Sequence, residues 1–580
     1  MINQSGRRFD PNAIIYTVEA NCHECYRCVR VCPVKAISVI NGQARVENEL
    51  CIKCGTCVRE CPQHAKAIRN NLDDVKLLMQ LQRPVAASVA PSFAAAFGGW
   101  RSSRLPAALR RLGFSYVSET AEGAALITEQ SFADSTPGSL CSACPAVMSY
   151  IEKYRPEYVD SIIPIASPMI AHGRMLKKRL GPEWAVVFIG PCAAKKEESL
   201  RPANKGIIDV VLTFAELVQW LEEENIDFAN CLESDFESFG NLDKARLFAL
   251  PGGMLKTGGL DGEGFNKRVV SVSGPTDVMS LLDLPPREWS FDVAECLFCH
   301  SGCINGMGMP AAAVHKNPFS KKADVLAYTE SAPASYKEID RSVEAIGEFD
   351  AVQIPGLNTS ISESDIQKVL DETGKGTPDQ QNNCGACGYK TCRDNAIAVI
   401  RGLAEPGMCM PYMRRLAQQR TNRIIDTSPN AVVVLDESLN IIQINPAFMK
   451  MFHCDHSALG RRISYFMDAD SFERLASGAC EEYEAIKIKY GMRYHEQIYA
   501  LREEKQYVGT FTDISRVTFD DRQIDLIQRQ TLDQAKELLN HQIRFSQEMA
   551  HFLGRSTAQS EDLVKRMVDL YQQESERKQD

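Results

Sequence analysis

Between about Arg83 and Gly374, short apolar runs alternate with amphipathic stretches. The runs VAASVAP, AVVFIG and DVVLT predict strands, whereas FAELVQWLEEEN spaces its apolar residues at helical intervals. This alternation predicts an α/β domain over residues 83–374. Further on, SPNAVVVLD reads as a strand, DESLN as a turn, the next apolar run as a second strand and NPAFMKMF as a short helix. A strand-rich tail then closes at YVGTFTDISRV, so residues 421–517 read as an α+β domain. The remainder, 518–580, is polar and helical. Leu532, Ala535 and Leu539, then Met549, Phe552 and Leu553 form one stripe; Gly554 breaks it, and Leu563, Met567 and Leu570 begin another. So narrow a stripe wants a partner helix, in a dimer or in a downstream protein.

At 580 residues the chain is too long for one hydrophobic core, and three or more domains are expected. A net charge of −10 argues against a general nucleic-acid binder. No membrane span is expected either. The most apolar window, Pro84 to Gly99, is short and is interrupted by two serines and a second proline. The start, MINQSGRRFDPN, lacks the apolar core of a signal peptide, which predicts a cytoplasmic protein. Twenty-one cysteines in such a chain are not a disulfide framework, because the cytosol keeps thiols reduced.

Their spacing assigns them. Residues 22–33 read CHECYRCVRVCP and residues 51–62 read CIKCGTCVRECP, one motif repeated 29 residues on. Three thiols two residues apart wrap three corners of a 4Fe–4S cube, and the fourth, before proline, crosses to the other cluster. The predicted sets are Cys22, Cys25, Cys28 with Cys61, and Cys51, Cys54, Cys57 with Cys32. Tetrahedral zinc is the alternative for CxxC pairs. The segment, taken as residues 1–78, resembles a bacterial two-cluster ferredoxin.

Three loops of the α/β domain also carry cysteine: SACPAV around Cys144, GPCAAKKEES around Cys192, and ECLFCHSGCINGMGMP around Cys299 and Cys303. In this order they resemble the signature loops of the iron–iron (FeFe) hydrogenases. That resemblance implies an H-cluster, a 4Fe–4S cube joined through one cysteine to a two-iron unit bearing CO, cyanide and dithiolate ligands. By it, Cys144, Cys192, Cys299 and Cys303 hold the cube and Cys303 bridges to the two-iron unit. Lys195 matches the lysine that pairs with a cyanide, and Glu198 a glutamate of the proton path. Buried structural cysteines, or a hydrogenase-like iron–sulfur assembly protein without the two-iron unit, are the competing readings. Cys303, Lys195 and the CINGMG loop argue against the latter.

The departures from the family pattern are informative. Ala143 stands where fast members carry a proton-relaying cysteine, so the direct donor is lost and turnover is expected to be slow. Gly190 replaces a methionine packed near the bridging CO, which predicts a less filled, more exposed side. Cys141 is a weak candidate for a substitute proton carrier. Met307 and Met309 replace small or amide residues. His300 is either a hydrogen-bond donor to the cluster or a solvated loop residue.

Residues 384–409, CGACGYKTCRDNAIAVIRGLAEPGMC, offer Cys384, Cys387, Cys392 and Cys409 as a further set. This stretch (375–420) resembles the small four-cysteine 4Fe–4S domain of electron-transfer subunits, with zinc again the alternative. It is expected on the far side of the hydrogenase domain. Residues 421–517 resemble a PAS sensor domain, whose ligand stays open. There His453, Cys454 and His456 are read as solvated or core residues, because adjacent ligands on one short segment converge poorly.

The leading reading is a slow, sensory FeFe hydrogenase that interconverts H₂ with protons and electrons and relays redox state through three accessory 4Fe–4S clusters to the PAS domain. Expected partners are an electron carrier such as ferredoxin, the maturation enzymes for the two-iron unit, a downstream signalling protein and a second copy of the chain. A bulk ferredoxin-dependent hydrogenase and a non-catalytic iron–sulfur redox sensor are the alternatives.

Overall fold

The computed structural model describes residues 13–515, apart from 82, 238, 241, 260–267, 333–337, 357–359 and 502–504. The predicted helical segment 518–580, with its apolar stripes, lies outside the described residues. The chain divides into two compact units, Met1–Arg415 and Leu416–Asp580. No helix among the described residues is long and apolar enough to cross a membrane.

The first unit opens with a duplicated cysteine module. Two antiparallel ribbons, Ile15–Thr17 with Lys66–Ile68 and Ile37–Ile40 with Gln43–Val46, frame two one-turn helices, Arg27–Val31 and Thr56–Arg59. The sequence repeat is a structural repeat. Tyr26 and Gly55 each precede their helix in the left-handed conformation. Cys32 and Cys61 each accept a hydrogen bond at 3.2 Å from the backbone N–H four residues on, of Ala36 and Ala65.

The α/β region follows. Tyr116–Glu119, Val85–Val89, Ala185–Gly190 and Val210–Thr213 lie side by side as a four-stranded parallel sheet. The three apolar runs singled out above form three of these strands. Val85–Val89 and Ala185–Gly190 are buried at every position, as strands covered on both faces must be. A second parallel sheet orders Val269–Ser273, Val293–Leu297 and Ser139–Leu140. FAELVQWLEEEN begins the helix Phe214–Glu223, started by a capping box in which Thr213 and Glu216 satisfy each other's backbone N–H.

All three cysteine loops leave the C-terminal ends of these parallel strands. Cys144 follows Ser139–Leu140, Cys192 follows Ala185–Gly190, and Cys299 and Cys303 follow Val293–Leu297. That is where open α/β sheets place their sites. A buried ion pair braces the wall behind them: Arg246 donates to both oxygens of Glu119 at 2.7–3.2 Å.

The unit ends with Glu363–Glu372, Cys392–Ile400 and the four cysteines near them. These do not lie on the far side of the α/β region. They pack on the cysteine module: Tyr389, Ala398, Leu403, Ala404 and Met408 share one apolar cluster with Val29, Cys32, Ile37 and Cys51. Order along the chain did not translate into order in space.

The second unit is a five-stranded antiparallel sheet ordered Ile441–Ile444, Ala431–Leu435, Gln506–Asp513, Met492–Leu501, Glu482–Lys489. The DESLN turn is closed by Asp436, whose Oδ1 accepts from the N–H of Ser438 and Asn440 at 2.9 and 2.8 Å. Phe448, Phe452, Tyr494 and Phe511 fill the interior, with ring centroids 4.6–5.9 Å apart.

Candidate functional site

Cys144, Cys192, Cys299 and Cys303 line one cavity. Burial pushes the Cys192 thiol up to about 11, with Cys144 adding to the rise and Lys195 opposing it. Burial also raises Cys299, with Cys192, Cys303, Cys144 and Cys54 adding, and Cys303, with Cys144 and Cys192 adding. Burial of Cys192, Cys299 and Cys303 in a low-dielectric pocket favours their neutral thiols, so ligation there releases protons. Among the described residues, no three cysteine, histidine or acidic side chains stand close enough to hold a single metal ion. The set is open, with the cavity beside it.

Lys195 borders the same cavity and is 8% exposed. Its ammonium lies 2.8 Å from Glu198 Oε2 and donates to the carbonyl of Ala143 at 3.4 Å. One buried cation therefore faces the thiols, with Glu198 neutralising it from the next helical turn. Ala143 lines the cavity, so the position expected to lack a proton donor does face the site. Cys141 is 2% exposed and packs instead among Ala121, Ile163 and Val293. It is not a cavity-lining residue and does not replace the missing donor. Met307 lines the cavity, whereas Met309 is core and His300 is an exposed loop residue packed over Gly274.

The expected gap at Gly190 is not there. A Cβ at Gly190 would stand 2.6 Å from the Phe188 ring, and Phe188 itself lines the cavity. The two residues share one face of a strand, being two apart, so the ring takes the space that a methionine would need. Gly190→Met should therefore overpack this wall. We expect a loss of about 1–3 kcal/mol, read as a lowered thermal midpoint. Adding Phe188→Ala should restore most of it, and a single mutant as stable as the wild type would contradict this packing.

The junction with the cysteine module is equally close. Burial raises Cys32 to about 12, with Cys54 and Cys51 adding; Cys51, Cys32 and Cys54 act likewise on Cys57. The crossed set Cys51, Cys54, Cys57, Cys32 is thus brought together, as are Cys28, Cys25 and Cys22. Cys54 lines the main cavity beside Cys299. Lys53, 2% exposed, donates to the carbonyls of Asn48 and Cys51 and pairs with Glu197 at 3.0 Å. Lys153 and Tyr154 donate to the carbonyls of Cys51 and Leu50 at 2.9 and 2.6 Å. Gly55, at φ +75°, is covered by Met307: a Cβ there would stand 2.3 Å from the methionine Cγ.

Cys384, Cys387, Cys392 and Cys409 line a separate small hollow. In the second unit, His453 and His456 are exposed and Cys454 packs against the core.

Residues 83–307 match the model of the iron only hydrogenase large subunit, C-terminal domain. That stretch, somewhat under half of the chain, is thus similar to the iron-only (FeFe) hydrogenase domain. A 4Fe–4S dicluster domain matches residues 14–69 ahead of it, a putative Fe–S cluster domain residues 380–411, and a PAS domain residues 419–486. The chain is 27% identical over 368 residues to the NADP-reducing hydrogenase subunit HndD of Solidesulfovibrio fructosivorans, covering 54% of this chain and 59% of that one. It is 28% identical over 361 residues to the periplasmic [Fe] hydrogenase large subunit of Nitratidesulfovibrio vulgaris, covering 50% of this chain and 85% of the relative. The cytosolic Fe–S cluster assembly factor NAR1 of Vanderwaltozyma polyspora is 37% identical over 95 residues, 16% of this chain and 18% of that one. The 83–307 match includes Cys144, Cys192, Lys195, Cys299 and Cys303, whereas Lys53 and Cys54 reach the cavity from the dicluster match. Phe188, Lys53, Lys153 and Tyr389 are site-bordering residues that no motif pointed to. Only the same-face spacing of Phe188 and Gly190 was readable in advance.

Proposed function

We propose that the chain is a slow, sensory FeFe hydrogenase, interconverting H₂ with protons and electrons and passing its redox state to the PAS unit. The observation that carries this is the cavity lined by Cys144, Cys192, Cys299, Cys303 and Lys195, which Ala143 also lines. The residues fit an H-cluster: four convergent thiols for the cube, Cys303 as the shared thiolate, and a buried ammonium opposite an anionic ligand. When bound, that group supplies the redox-active iron at which H₂ is made or split. Lys195 holds the anionic side, Glu198 fixes Lys195, and Phe188 with the apolar lining excludes water. Ala143 has no proton to give.

Cys22, Cys25, Cys28 and Cys61, the Cys51 set with Cys32, and the Cys384 set would hold three accessory 4Fe–4S clusters. The proposed divisions are residues 1–78, 83–374, 375–420, 421–517 and 518–580. A cytoplasmic site, a ferredoxin-like electron carrier, maturation enzymes, a signalling partner and a homodimer belong to the same proposal. Local identity to an iron–sulfur assembly factor favours a second reading, a redox sensor without the two-iron unit.

Metal analysis separates the two. Three 4Fe–4S clusters plus a six-iron centre require about 18 iron atoms per chain, and expression without maturation enzymes about 16. The matured protein should also show infrared bands of CO and cyanide. Stoichiometric zinc, or full iron with no such bands after maturation, would overturn the hydrogenase reading.

A further inference from the structure

Two thiol sets meet across one buried tyrosine. Tyr389, 5% exposed, lines the hollow of Cys384, Cys387, Cys392 and Cys409. The same ring belongs to the apolar cluster containing Cys32, Cys51 and Cys57. Its buried hydroxyl has no hydrogen-bond partner among the described residues.

The backbone around it is held in place. Lys35 Nζ donates to the carbonyls of Val29 at 2.9 Å, Arg30 at 3.0 Å and Gly388 at 2.9 Å, and stands 5.7 Å from the centre of the Tyr389 ring. Arg30 donates to the carbonyl of Ala386 at 3.2 Å. Gly388 sits so close that a Cβ there would be 2.9 Å from Val29 Cγ1. The seam is therefore fixed from both sides.

We propose that Tyr389 bridges the C-terminal cluster and the Cys32/Cys51/Cys54/Cys57 cluster, donating its hydroxyl hydrogen bond to sulfur of the C-terminal cluster. The cluster beside the active cavity is then a branch point, from which electrons reach the C-terminal set without visiting Cys22, Cys25 and Cys28. Each transfer moves one electron: the branch-point cluster is oxidised, the C-terminal one is reduced, and Tyr389 keeps its proton. The inference rests on the hydrogenase reading only for the source of electrons, H₂; dithionite supplies them equally.

A donor to cluster sulfur favours the more negative, reduced state. In the full-length, iron-loaded protein, Tyr389→Phe keeps the ring and removes that donor. We expect the C-terminal cluster to become harder to reduce by about tenfold in equilibrium constant, 59 mV for one electron. A dithionite redox titration followed by electron paramagnetic resonance reads the shift, and Cys384→Ser identifies which signal is the C-terminal cluster's. In the wild type, reducing both clusters should broaden that signal through magnetic interaction, and Tyr389→Phe should leave the broadening intact. An unchanged potential in Tyr389→Phe at full iron content would overturn the hydrogen bond. Absence of magnetic interaction in the wild type would overturn the bridge, even if the variant failed to load its cluster. If H₂ reduces no cluster while dithionite gives the expected shift, the hydrogenase reading fails and the bridge stands.

Discussion

Cys303→Ala should abolish H₂ evolution, leaving activity at the assay background while the accessory clusters remain loaded. Cys303 follows Gly302, whose φ is +82°, and lines the cavity with Cys144, Cys192 and Cys299. Cys54, the fifth thiol lining the cavity, lies with Cys32 and Cys57 in the neighbouring set. Lys195→Ala should act differently. It removes the cation facing the cavity, so the cube's iron should be kept while the CO and cyanide bands weaken. It also strands Glu198, whose side chain is 10% exposed, without its ion partner. Removing one member of a buried pair costs about 3–5 kcal/mol. The double variant Lys195→Ala/Glu198→Ala should recover that stability without recovering the bands. Infrared spectra, iron content and thermal midpoints on the same preparations make the comparison. Full hydrogenase activity in Cys303→Ala would mean that the loop assignment is wrong.

Ala143→Cys should raise turnover by at least about tenfold. The wild-type side chain borders the cavity but has nothing to ionise, and a positioned acid or base is worth about 10²–10⁴-fold. An unperturbed thiol titrates near 8.5. At this position burial would push it up and the Lys195 ammonium would oppose the rise, as at Cys192. Because only its main-chain carbonyl takes the Lys195 hydrogen bond, the substitution leaves that contact in place. The gain should stop short of the full range, since buried Cys141 provides no onward relay. Dye-linked H₂ evolution, normalised to infrared-detected two-iron unit, measures it. An unchanged rate would place the proton bottleneck elsewhere and remove slow protonation as an argument for a sensory role.

What could be read from the sequence was local. The duplicated motif fixes thiols a few residues apart, and the structure repeats it down to the Cys32–Ala36 and Cys61–Ala65 hydrogen bonds. Strand identity was legible because Val85–Val89 and Ala185–Gly190 are apolar throughout. What escaped was everything that depends on distant segments meeting. Phe188 filling the place beside Gly190 needs a rotamer that no pattern specifies. The contact of Tyr389 with the ferredoxin-like module joins segments more than 350 residues apart, as Lys35 and Gly388 do. Residues 384–409 were expected beyond the hydrogenase domain because they follow it in the chain. The apolar faces of Tyr389, Leu403 and Met408 find burial against the module instead.

The Met307–Gly55 contact ties the ancestry of two segments together. Position 307 lies in the loop that follows Cys303, and position 55 lies between the thiols of Cys54 and Cys57, yet the methionine occupies the volume that any side chain at 55 would claim. Residue 55 also adopts a backbone conformation costly for most amino acids. A larger residue at 55 is compatible only with a shorter one at 307. Replacing the N-terminal module with that of a relative is therefore not a clean transplant: the donor's partner for position 307 has to travel with it.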